Sequence, residues 1–124
     1  MKILLHRLSD EDPETKSNSA YAMGLLCLGS QNTAEIVKHY NTVLGKLEPL
    51  LHIKHHRLVD NACGCLARMI MAHPEAVPIS DVLGQLVQQL PLKGDYDENA
   101  PIYGMFVRLC KFDPESSLIQ LQSR

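Results

Sequence analysis

A chain of 124 residues with 45% apolar residues and a net charge of -2 holds material for one globular domain and has too little excess charge to be disordered. The balance also disfavours a nucleic-acid binder, which concentrates positive charge on one face. The apolar runs are far shorter than the ~20 residues that cross a bilayer, and Met1-Lys2-Ile3-Leu4-Leu5 turns polar too soon for a secretory signal, so the chain reads as intracellular.

Ile3 to Leu8 reads as the end of a helix that stops at the polar turn Ser9-Asp10-Glu11. Asp12 then offers an N-cap and Pro13 the first helical position, where a missing N–H costs nothing. The helix runs to about Leu28 with Ala20, Met23, Leu26 and Cys27 on its apolar side, and Gly29 is expected as a left-handed residue closing it. Thr33 caps the next helix, in which Ile36, Val37, Tyr40, Val43, Leu44, Leu47 and Leu51 step by three and four. Pro49 removes one backbone hydrogen bond there, which predicts a kink between Gly45 and Pro49.

The stretch His55 to His73, HHRLVDNACGCLARMIMAH, carries two apolar stripes. One is Leu58, Ala62, Leu66 and Met69; the second is Val59, Cys63 and Ile70, and a helix packed on two sides is an inner helix of a layered array. Its remaining side holds Asn61, Gly64 and Arg68 with Asp60 at the edge, a polar strip expected to face outward. Pro74 ends this helix. Ser80-Asp81 starts another through Val82, Leu83, Leu86, Val87 and Leu90, stopped by Pro91. A further helix runs from about Asp97 to Phe112 with Ile102, Met105, Phe106, Leu109 and Cys110 on its apolar face; Pro101 fits only in its first turn. Asp113-Pro114-Glu115 repeats the cap pattern of Asp12-Pro13-Glu14, and Leu118, Ile119 and Leu121 begin one more helix. No stretch alternates with period two, so the chain is predicted to be all-α.

Taken in pairs, the helices form a self-similar series. Asn18, Asn61 and Asn99 lie early in three inner helices at separations of 43 and 38 residues, which bracket the ~40-residue period of HEAT and armadillo repeats. The expected architecture is an α-solenoid of about three HEAT-type antiparallel helix pairs, with approximate repeats 1–29, 32–74 and 78–112 and the start of another at 115–124. End repeats of a solenoid need a polar outer face. Ile3, Leu4, Leu5, Leu118, Ile119 and Leu121 look instead like faces awaiting neighbours, so the chain reads as truncated at both ends.

Val59-Asp60-Asn61-Ala62-Cys63-Gly64-Cys65-Leu66-Ala67-Arg68-Met69-Ile70, followed by Leu90-Pro91-Leu92-Lys93 and the acidic Asp95 to Glu98, closely resembles the late HEAT repeats of nuclear import receptors of the karyopherin β family, importin-four type. The resemblance runs from about Leu5 to Leu121. It implies a receptor that shuttles between cytoplasm and nucleus, carrying basic cargo such as histones and ribosomal proteins. Release by the GTPase Ran would act through earlier repeats, and nucleoporins are further partners it allows.

Such cargo, a lysine-rich extended peptide, needs carboxylates for its ammonium groups and side-chain amides for its unpaired backbone. Asn61 can bridge a peptide N–H and C=O, Gly64 lets a peptide approach, and Asp97 and Glu98 would lie beside them across the repeat junction. The resemblance supports this arrangement, since family members hold a cargo lysine with an inner-helix Asn and neighbouring acids. Asn18, Asn61, Asp60, Gly64, Asp97 and Glu98 are therefore the candidate cargo residues. Four of them have a plainer role, Asn61 as a tie between repeats, Asp97 and Glu98 as helix caps and Asp60 as a partner of Arg57 or Arg68, and the acidic runs read equally as solvated loop tips. Tyr21 and Tyr103 are exposed-face candidates, although aromatic residues at helical spacing are core more often than not.

Cysteines 27, 63, 65 and 110 sit in apolar helical patterns, as reduced thiols do, so no disulfide is expected. His52, His55 and His56 near Cys63 and Cys65 suggest zinc, but two thiols two residues apart on a helix point about 200° from each other. No phosphate loop, nucleophile elbow or acid–base pair appears, so neither cofactor nor catalysis is expected. The alternative to a transport receptor is a HEAT scaffold segment of a stable assembly.

Overall fold

The computed structural model describes residues 2–29, 33–89 and 99–112. All regular elements among them are helical: α1 Lys2–Arg7, α2 Pro13–Gly29, α3 Thr33–Val37, α4 Tyr40–Leu47, α5 His56–Ala72, α6 Ile79–Gln88 and α7 Asn99–Phe112, with 3-10 turns at Glu48–His52 and Pro74–Ala76. The protein is an all-α, HEAT-like stack of helices. No described helix is long and apolar enough to cross a membrane.

Helix α5 is the centre of the packing. Its most extensive contacts are with α2 on one flank and α7 on the other, while the 3-10 turn after α4, α4 itself and α6 back it. Both apolar stripes are used: Leu58, Ala62, Leu66 and Met69 are buried, as are Cys63 and Ile70, with Val59 half-buried. They join Leu8, Ala20, Met23, Val43, Leu47, Leu83, Leu86, Ile102 and Met105 in one continuous core. Burial of this kind contributes roughly 1.5–3 kcal/mol per large side chain and is the main force holding the layers together.

The caps explain most of the boundaries. The Asp12 carboxylate accepts from the Thr15 backbone N–H at 3.2 Å and the Thr15 hydroxyl at 2.8 Å, which starts α2 at Pro13. The same bonds, the Thr15 hydroxyl foremost, hold its carboxyl below the ordinary range. At α5, His55 is the N-cap, its Nδ1 accepting from Leu58 N–H at 3.2 Å, and His73 is the C-cap ahead of Pro74.

Three local expectations are corrected. Gly29 remains within α2 and does not take a left-handed φ. Pro49 does break the rod where expected, but by tightening it into the 3-10 turn Glu48–His52; a second break at Lys38–His39, between α3 and α4, has no marker in the sequence. Helix α6 starts one residue before Ser80, after Pro78, with no side-chain cap. The helix beginning at 115 falls outside the described residues.

The outer and inner layers are also joined by a polar contact. Tyr40 of α4 is buried, donates its hydroxyl to the Met69 carbonyl at 3.1 Å, and meets the His73 ring edge-on at 5.8 Å. Next to it, burial pushes the Cys27 thiol from 9.0 up to about 11, against a hydrogen bond with Tyr40 that favours ionisation. Burial, then the neighbouring Cys27, also raises the Tyr40 hydroxyl. Both groups are held neutral in the fold and ionise sooner in the unfolded chain, so the Cys27 contribution is complete below pH 9 and lost as pH rises toward 11, while that of Tyr40 is complete below pH 10 and begins to be lost above it. Urea midpoints from pH 7 to 11 should be flat to about 9 and then fall, and Tyr40→Phe should soften that fall. Thiol alkylation of Cys27 should proceed only at the rate of unfolding, since the buried neutral thiol is no nucleophile.

Candidate binding site on the inner helices

The polar strip of α5 does not face outward. Asp60 and Asn61 are 1% exposed, Arg68 7%, and Gly64 is buried. The reason is the closeness of α2. A Cβ built on Gly24 would lie 3.1 Å from the Cys65 Cα and 3.1 Å from the Arg68 Cδ, so the two helices come close enough here that any side chain presses on its neighbours. Helix α7 closes the other flank, where Gly104 lies against the Met71 sulfur. A helix hemmed in this way keeps its polar residues but covers them.

Asn61 is thereby committed within the fold: its side-chain amide donates to the Arg57 carbonyl at 2.9 Å, one turn earlier. Arg68 lays its guanidinium over the Tyr21 ring, 5.0 Å from the centroid, and leaves the tyrosine 44% exposed. Tyr21 and Tyr103 are both on the surface, Tyr103 at 64%. On the exposed face of α2, Leu25 and Leu28 continue the line from Tyr21 at four and seven residues, and Val107 follows Tyr103 by four on α7.

At the N-terminal end of the inner layer lies a charged arrangement that sequence reasoning missed. The Arg57 Nη1 donates to Glu14 Oε2 at 2.7 Å and its Nη2 donates to Asn18 Oδ1 at 3.1 Å. The other Glu14 oxygen faces His55 Nε2 at 3.8 Å. Glu14 and Asn18, one turn apart on α2, thus form a fork of carboxylate and amide oxygens that grips a guanidinium from the next inner helix. Arg57, one of the two partners considered for Asp60, pairs here with Glu14. Exposed carboxylates at Glu11 and Asp12 extend the negative surface at this end of α2.

Of the six residues singled out in the sequence, Asn18 is exposed and engaged with a cation, while Asp60, Asn61 and Gly64 lie under the surface. Asp97 and Glu98, and the Leu90-Pro91-Leu92-Lys93 motif, lie outside the described residues. Cys27, Cys63 and Cys65 are buried and in no disulfide. Among the described residues no group of three or more His, Cys, Asp or Glu is placed to hold a metal ion.

No family model matches the chain. It is 41% identical over 108 residues to the probable importin subunit beta-4 of Schizosaccharomyces pombe, an alignment covering 86% of the chain and 10% of that protein. It is 38% identical over 116 residues to importin-4 of Homo sapiens, covering 93% of the chain and 10% of that protein. Importin-4 of Mus musculus is 38% identical over 114 residues, 91% of the chain and 10% of that protein. The chain spans about a tenth of the length of these curated relatives. With this identity over nearly all of its residues and a HEAT-like helical stack, the chain belongs to the karyopherin β family of import receptors, in its importin-4 branch.

Proposed function

We propose that this chain is a protein-binding segment of a nuclear import receptor and that its inner helices hold a basic, lysine- or arginine-rich segment of cargo, such as a histone or ribosomal protein tail. The observation that carries this is the fork of Glu14 and Asn18: a carboxylate and an amide one turn apart on an inner helix, already coordinating a guanidinium at 2.7 and 3.1 Å. Glu11 and Asp12 add exposed carboxylates to that end of the layer. Binding of this kind needs no cofactor and no catalytic group. It belongs to a receptor that moves between cytoplasm and nucleus, with Ran acting elsewhere on the whole receptor. Nucleoporin contact, the remaining partner of this reading, has available a groove of about 240 Å³ in which Leu44, Leu51, Leu66 and Val82 are mixed with the polar Glu48, Asp81 and Gln85.

The test is titration calorimetry of a short capped lysine-rich peptide at two salt concentrations, on the chain and on its variant Asp97→Lys with Glu98→Lys. Exposed ionic contacts are screened over about 8 Å at physiological ionic strength, so affinity should fall with salt. It should fall about tenfold or more in the charge-reversed variant, where attraction becomes repulsion. The variant's helix content should be unchanged, because at most a cap's worth of stability is removed. Unchanged affinity with a small loss of thermal stability would mean that these acids only cap. The scaffold alternative predicts no salt-sensitive binding of basic peptides at all. Asn61→Ala, by contrast, should act on the fold, at roughly 1–3 kcal/mol for a buried hydrogen-bonding group lost, measured by urea denaturation.

A further inference from the structure

We infer that Arg57 is a built-in occupant of the inner-face cation site, a stand-in for the basic side chain of a partner, which must leave before the partner's own lysine or arginine can enter. This rests on the cargo reading above and deepens it, because it makes the site self-occupied at rest.

The geometry is that of a ligand and its receptor within one chain. Arg57 comes from the first turn of α5 and reaches across to α2, where its two terminal nitrogens are divided between Glu14 Oε2 and Asn18 Oδ1. A lysine ammonium or a second guanidinium would find the same two acceptors. The occupant is aimed from behind: Asn61, buried under the surface, donates to the Arg57 carbonyl at 2.9 Å and fixes the first turn of α5 from which the side chain projects. Asn61, singled out in the sequence as a direct cargo contact, therefore becomes a positioning residue for the arginine that covers the site.

The occupant is also easily displaced. Its side chain is 38% exposed and that of Glu14 61%, and an ion pair so open to water is worth about 1 kcal/mol at most. Breaking it costs a competing cation no more than about a fivefold loss in affinity. When Arg57 swings out, Glu14 keeps its neighbour His55, with Nε2 at 3.8 Å, and the fork remains in place because both its members sit on the already formed helix α2. Arg57 thus sets a threshold: a partner offering one isolated cation gains little by exchange, whereas one that also engages neighbouring carboxylates gains the rest of the surface. The device selects for runs of basic residues over single ones.

The experiment is calorimetric titration of a short capped lysine-rich peptide into the chain, into Arg57→Ala, and into the double variant Arg57→Ala with Glu14→Gln, with circular dichroism melts on each. Arg57→Ala should bind about two- to fivefold more tightly than the unaltered chain, and the double variant should lose that gain. A second measurement does not depend on a variant folding. In the unaltered chain, nuclear magnetic resonance signals of the Arg57 guanidinium should lose their hindered rotation as the peptide is added. Equal or weaker binding by Arg57→Ala, with the Arg57 signals unmoved while the unaltered chain binds the peptide, overturns the inference and leaves the cargo reading standing. Absence of binding by every form overturns both.

Discussion

Leu58→Ala is expected to cost the fold about 2–5 kcal/mol, a loss read directly as a lower urea midpoint with an unchanged slope. Leu58 is fully buried near the start of α5, on one of the two apolar stripes of the helix. Truncating it removes the transfer energy of the lost methyl groups and leaves a cavity walled by helices that other contacts hold apart, so little can collapse to fill it. The comparison is Leu25→Ala on α2. Leu25 lies on the exposed face of its helix, and its loss should change stability by no more than about 0.5 kcal/mol. Two leucines of the same size then differ in cost because one is in the keystone helix and the other on the open inner face.

Gly24→Leu should be comparably damaging for the opposite reason. The first carbon of any side chain there would already press on the Cys65 Cα and the Arg68 Cδ at 3.1 Å. Alanine meets one fixed backbone atom and one mobile side chain, and it gains up to about 1 kcal/mol in helix propensity, so Gly24→Ala should end near neutral or mildly destabilising. Leucine must push α2 away from α5, at a cost of about 3 kcal/mol or more. Moving α2 would also lengthen the reach from Arg57 to Glu14 and Asn18. Gly24→Leu should accordingly release the Arg57 guanidinium as well as lower the thermal midpoint, both of which nuclear magnetic resonance and calorimetric melts report.

The helices of this chain were legible because their signals are local. Asp12-Pro13 starts α2, His55 and His73 bracket α5, and two apolar stripes on one helix announce that it is packed on two sides. The family resemblance, carried by the stretch Val59 to Ile70, was legible for the same reason. What the sequence hid depends on how deep neighbouring helices come. A helical wheel places Asn61, Gly64 and Arg68 on the side left over by the core, but only the approach of α2 at Gly24 decides that this side is roofed over. The ion pair of Arg57 with Glu14 depends on the register between two helices 43 residues apart in the chain, which no local pattern encodes. Nor does any residue announce the break at Lys38–His39, since the apolar spacing of α3 and α4 reads as one continuous helix through it.

Hydrogen exchange of the chain with and without a lysine-rich peptide is the most direct test of the central claim, that a basic partner is held on the inner helices. Added protection is expected in the first turns of α2 and α5, around Glu14 to Asn18 and His55 to Asn61, with the outer helices α4 and α6 unchanged. Protection confined to α4 and α6, or none under conditions where calorimetry shows the peptide bound, would contradict it.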